Sequence, residues 1–155
     1  MSDAAQLIQK IRATLTPCRL GEWPTPLEHA PALARAIAVA ELAVKREDRA
    51  SALYGGNKVR GLEFLLAGAA SGTVFVTMGG TGSTHCLATA VHAAAVGGRA
   101  ALAQFPQPMT PMSQTVAAAC QRRAALVVRA RRHAWSTATG SVTRIRARTT
   151  SAARR

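Results

Sequence analysis

The chain has 155 residues, 48% of them apolar, which is enough for one domain with a buried core. Its formal net charge is +13, and its three cysteines are widely spaced with no secretory signal before them, which excludes a disulfide scaffold and predicts reduced thiols in a cytoplasmic protein. No apolar run spans a membrane length without a charge or glycine, and His85-Cys86 lacks the second close His or Cys pair of a metal site, so no metal is expected. Ala4 to Leu15 then reads as an amphipathic helix, with Leu7, Ile8, Ile11 and Leu15 on one face, and Glu41 to Arg46 as a strand. From there helix and strand alternate: helix Asn57 to Ala70, strand Thr73 to Met78, helix Ser83 to Ala95, strand Arg99 to Gln104, helix Thr110 to Arg122 and strand Ala125 to Arg129. Successive βαβ units predict an α/β fold, a parallel sheet with covering helices, and a ligand site at the carboxyl ends of the strands.

Two motifs carry chemistry. In Tyr54-Gly55-Gly56-Asn57-Lys58-Val59-Arg60-Gly61-Leu62-Glu63, Asn57 is a good N-cap, which puts Lys58 in the first helical turn. There the positive end of the helix dipole opposes an ammonium ion and favours the neutral amine, the form that condenses with an aldehyde. An ordinary solvated lysine at a helix start has the same local sequence. The second motif is Val74-Phe75-Val76-Thr77-Met78-Gly79-Gly80-Thr81-Gly82-Ser83-Thr84-His85, a strand followed by a glycine and hydroxyl loop that opens a helix. Such a loop presents free amides and a favourable dipole end to a carboxylate or phosphate; its glycines let backbone approach a ligand, and Ser83 and Thr84 add donors. Plain turns and helix caps share this composition.

Together the motifs resemble the fold type II pyridoxal-phosphate enzymes, of the tryptophan synthase β-chain architecture, grouped as aminocyclopropane-carboxylate deaminases and D-cysteine desulfhydrases. Trp23-Pro24-Thr25-Pro26-Leu27-Glu28, Val44-Lys45-Arg46-Glu47-Asp48 and Phe105-Pro106-Gln107-Pro108 are similar to further family segments in the same order. The likeness runs from about Arg19 to about Val128. It implies pyridoxal 5′-phosphate as cofactor, carried by Lys58, which also serves as acid or base at the substrate carbon. It further implies Asn57 and Thr84 beside the cofactor, and Ser83, Thr84 and His85 beside a small amino-acid substrate, with Ser83 taking part in catalysis. Thr84 stands where the family has an asparagine, Gly82 where it has a glutamine, and Gly61 where it has a basic residue. D-Cysteine and aminocyclopropane carboxylate both remain open as substrates; each gives a 2-oxo acid and ammonia.

The family's enzymes are about twice this length, so the resemblance covers their N-terminal part and implies a protein incomplete and inactive on its own, acting as a homodimer or with a complementing C-terminal chain. Residues 1–130 are expected to form the enzyme-like region. Residues 131–155 are expected to be a basic, disordered tail, since Gln121 to Arg155 holds ten arginines and no acid and shows no periodicity after His133. A non-enzymatic alternative follows from that tail, which can bind nucleic acid or other polyanions through phosphate neutralisation. No specific nucleic-acid signature accompanies it, and no membrane partner is expected.

Overall fold

The structure is a computed structural model that describes residues 3–14, 16–129 and 143–145. Helix α1 spans Asp3–Thr14 and strand β1 Leu27–His29. Helix α2, Pro31–Ala36, leads to β2, Ala43–Lys45, and a 3-10 turn at Glu47–Arg49. Helix α3 is Lys58–Leu65, β3 Val74–Gly80, α4 Thr84–Ala95 and β4 Arg99–Phe105. Helix α5, Pro111–Arg123, is followed by β5, Leu126–Arg129, and β6, Thr143–Ile145.

The main sheet runs β5-β4-β3-β6, with β3, β4 and β5 parallel and β6 antiparallel to β3. Strand order rises steadily from β3 to β5, so the two right-handed crossovers through α4 and α5 fall on one face of the sheet. Phe75, Thr77, Ala100, Leu102 and Gln104 alternate inward along β3 and β4 and are buried. Across them lies α4, whose alanines at 88, 90 and 93 let the helix sit close to the strands, with Leu62 and Leu66 on one flank and Val116 and Cys120 on the other. On the opposite face Leu126 and Val128 remain 56% and 54% exposed, as expected of an apolar sheet face without a cover.

Four sequence expectations are corrected. The strand at Glu41 to Arg46 is the short β2, which pairs antiparallel with β1 in a separate hairpin, Leu27 opposite Lys45, and takes no part in the parallel sheet. The helix expected to reach Ala70 closes at Leu66, before Gly68 turns to φ +60°, a helix-terminating conformation. The apolar stripe of α1 is unpacked, with Leu7, Ile8 and Ile11 at 58%, 51% and 39% exposure; Leu15 lies outside the described residues. Within 131–155, Thr143–Ile145 pair with Val76–Val74 as a strand, where a disordered tail was expected. The rest of that tail lies outside the described residues.

Candidate active site

The lysine turn is anchored from three sides. Gly56 adopts φ +119°, a conformation open to glycine, and its amide donates to the Glu47 carbonyl at 2.7 Å. A side chain on Gly55 would run into the carbonyl oxygen of Asp48. Just upstream, His92 Nε2 on α4 lies 3.0 Å from the Tyr54 carbonyl. Because a carbonyl only accepts, that nitrogen carries the proton. Lys58 follows as the first residue of α3, with its side chain exposed. Asn57 holds the N-cap position but does not cap: its backbone is already helical at φ −61°, ψ −17°, and its side chain accepts no hydrogen bond from the helix. Side-chain capping needs an extended backbone at that residue, so the expected Asn57 cap is absent.

Residues farther along α3 tie it to the N-terminal segment. The Arg60 guanidinium donates twice to the Glu47 carboxylate, at 2.8 and 2.9 Å, and stacks 3.9 Å from the Trp23 ring centre. The buried Glu63 carboxylate accepts from Trp23 Nε1 at 2.9 Å and from the amides of Leu20 and Gly21 at 3.0 Å. A buried carboxylate with three donors is a stable anchor, whereas the same group unpaired would be costly.

The second motif folds as expected, strand then loop then helix, with Ser83 as N-cap of α4 at φ −66°, ψ 123°. Its Oγ accepts from the Cys86 amide at 3.3 Å, and the first intrahelical carbonyl bond is Leu87 to Ser83. The amides of Thr84 and His85 precede that ladder and stay available at the helix end. Thr84 is exposed; His85 is half-buried with Nε2 3.0 Å from Thr77 Oγ1. Burial, and secondly the nearby Lys58 charge, lower the His85 pKa from its usual 6.5, so the ring is neutral at pH 7. Ser83, Thr84 and His85 thus stand just past the carboxyl end of β3, and Lys58 opens α3.

The glycines of this loop sit close to its own neighbours. A Cβ on Gly79 would lie 2.7 Å from Ser83 Oγ and 2.9 Å from Cys86 Sγ, while Gly82, at φ +85°, abuts the Ser113 carbonyl. The N-terminus of α5, by contrast, is closed by a capping box between Thr110 and Ser113.

Burial also governs the cysteines. All three cysteines are free, and burial raises the thiol pKa of Cys86 and pushes that of Cys120 up to about 11. Among the described residues no cluster of His, Cys, Asp and Glu can hold a metal, and no helix is long and apolar enough to cross a membrane. Glu47, Glu63, Thr77 and His92 escaped the sequence reading, because their partners lie up to 43 residues away and leave no local pattern.

Comparison with known proteins shows the family and the fold. The nocardicin C-9′ epimerase of Nocardia uniformis subsp. tsuyamanensis is 44% identical over 73 residues, 46% of this chain and 22% of that protein. A candidate 1-aminocyclopropane-1-carboxylate deaminase of Pyrococcus abyssi is 39% identical over 88 residues, 56% of this chain and 25% of its own. The D-cysteine desulfhydrase of Klebsiella pneumoniae is 41% identical over 76 residues, 48% of this chain and 23% of its own. The crystal structure of an ACC deaminase homologue superimposes with a TM-score of 0.65 at 26% identity, over 81% of this chain and 38% of that one. The chain thus spans about a quarter of these curated relatives and under half of the structural neighbour. The sequence pattern of the pyridoxal-phosphate dependent enzymes matches residues 18–149, and with the shared fold this makes the chain a member of the pyridoxal-phosphate-dependent enzyme family.

Proposed function

We propose that the described residues form the aldehyde-and-carboxylate side of a pyridoxal-phosphate site for a small amino acid, with Lys58 as the amine that carries the cofactor. The observation behind this reading is that Lys58 opens α3 with an exposed side chain while Ser83 caps the N-terminus of α4 just past the carboxyl end of β3. The donor set fits that end of the cofactor: one exposed amine, unladdered amides at Thr84 and His85, and hydroxyls at Ser83 and Thr84. When bound, the cofactor supplies an electron sink for bonds at the amino-acid α-carbon.

The chain's own residues divide the remaining work. Lys58 would hold the cofactor at its aldehyde carbon and, once released from it, would take or return a proton at substrate carbon. Ser83 Oγ already accepts from Cys86, so its hydroxyl hydrogen is the group offered to the substrate carboxylate, together with the α4 amides. Thr84 would donate to the ring oxygen in the place of a longer amide, and Asn57, whose side chain is exposed, would border the ring. His85, neutral and hydrogen-bonded to Thr77, borders the substrate. The capping box closes α5 as a second anion site, so these residues hold one end of the cofactor and turnover by this chain alone is expected to be undetectable.

The relatives' names give three outcomes, epimerisation of nocardicin, deamination of 1-aminocyclopropane-1-carboxylate and desulfhydration of D-cysteine. D-Cysteine and aminocyclopropane carboxylate are the substrates we favour, with a 2-oxo acid and ammonia as products. The test is incubation with pyridoxal phosphate, borohydride reduction and peptide mass spectrometry, with Lys58→Ala as control. Stoichiometric labelling confined to Lys58, abolished in the variant, is expected; labelling scattered over the lysines, or none, overturns the reading.

A further inference from the structure

The turn that presents Lys58 is gripped at both ends by one residue. Two positions before the lysine, the Gly56 amide donates to the Glu47 backbone carbonyl at 2.7 Å. Two positions after it, Arg60 donates from Nε and Nη2 to the two oxygens of the Glu47 carboxylate at 2.9 and 2.8 Å. Thr25 Oγ1 donates to the same carboxylate at 2.7 Å, and the Trp23 ring stacks on the Arg60 guanidinium. Since Asn57 gives α3 no side-chain cap, its first turn lacks the usual local fixing. A lysine amine sits on four methylenes with free rotation, so its reach and direction depend on how firmly its backbone is held.

We propose that Glu47 is the positioning residue for Lys58, replacing the missing helix cap with a clamp that spans the lysine from Gly56 to Arg60. The clamp's importance for cofactor capture rests on the reading of Lys58 given above. An isolated exposed ion pair would do little. This one is bidentate, backed by an aromatic ring and a hydroxyl, and joined through the same residue to a backbone bond, which gives it geometric definition that a lone pair lacks. Glu47 belongs to the short 3-10 turn whose next residue, Asp48, closes over Gly55, so the whole turn is packed against the lysine segment.

The full chain is tested in two ways. First, ¹⁵N relaxation of the cofactor-free protein is compared for wild type, Glu47→Gln and Arg60→Met, the last keeping an apolar stem against Trp23. The Asn57 and Lys58 amides are expected to fall from rigid order parameters of about 0.85 to below about 0.6 in both variants. Thr110→Ala, which weakens the fold through the α5 cap and removes no hydrogen bond of the lysine turn, is the control and is expected to leave them unchanged. Second, borohydride labelling with pyridoxal phosphate measures selectivity for Lys58 over Lys10 and Lys45, the other two lysines. Selectivity is expected to drop about fivefold or more in both clamp variants and to hold in Thr110→Ala. Rigid amides in the clamp variants overturn the proposal, and so do loosened amides with unchanged selectivity. If Glu47→Gln does not fold, Arg60→Met decides alone, since it breaks the same pair from the exposed side. A wild type without Lys58 selectivity defeats the cofactor reading, whereas the amides still decide whether Glu47 holds the turn.

Discussion

The turns carrying Lys58 and Ser83 are both rich in glycine and both open a helix, yet they are fixed by different physics. The serine loop is self-contained: Ser83 caps its own helix, the loop hydrogen-bonds to Gly80 and Phe105, and its glycines fit against Ser83, Cys86 and Ser113. The lysine turn has no cap and depends on charges and carbonyls brought from residues 23–48 and from His92 on α4. Steric fit resists salt and pH, while ion pairs at half-exposed sites respond to both. The lysine turn is therefore the adjustable one of the two, and the serine loop the fixed one.

Four substitutions or titrations break that contrast. Gly82→Ala is expected to have the largest effect, since it joins a strained φ of +85° to a collision with the Ser113 carbonyl. A loss of about 2–4 kcal/mol by denaturant unfolding is expected. Ser83→Ala removes the α4 cap for about 1 kcal/mol, with the lysine amides undisturbed in NMR spectra.

The acid limb tests the other region. The Arg60 hydrogen bonds, followed by that from Thr25, lower the Glu47 pKa from 4.5 to about 2. A depressed carboxyl stabilises the fold fully above its unfolded pKa, so that contribution fades as pH drops from 4.5 toward 2. The thermal midpoint should fall over this window in wild type and less steeply in Glu47→Gln; equal slopes would count against the pairing. His85 gives the smallest effect. Its lowered pKa means the unfolded chain takes up the proton first, so stability holds above pH 6.5 and declines below it. His85→Gln should flatten the midpoint between pH 7 and 5.

The sequence was most legible where one period ran uninterrupted. From Thr73 to Arg129 every strand and helix lies within two residues of its expected bounds, because buried strands and alanine-rich helices repeat cleanly. Two shorter elements before Lys58 escaped, β1 with three residues and α2 with six, too few for a period to show, and with β1 went the hairpin partner of the expected β2. Lys58 and Ser83 stood out through their neighbours in sequence. The Glu47 to Arg60 pair, the Glu63 anchor and the His92 contact did not, since each joins segments that only the fold brings together. Asn57 shows the reverse error, a residue with the right identity and position whose backbone angles deny it the role.

Helix α4 touches both halves of the site, opening at Ser83 and reaching Tyr54 through His92 nine residues later. At 1.5 Å per residue that separates its two points of attachment by about 13 Å. The helix thus works as a measuring rod between the serine loop and the root of the lysine turn. Because it pivots as one stiff body, a tilt that lifts one end lowers the other, and a single residue inserted between 84 and 92 would rotate one attachment about 100° out of line with its partner.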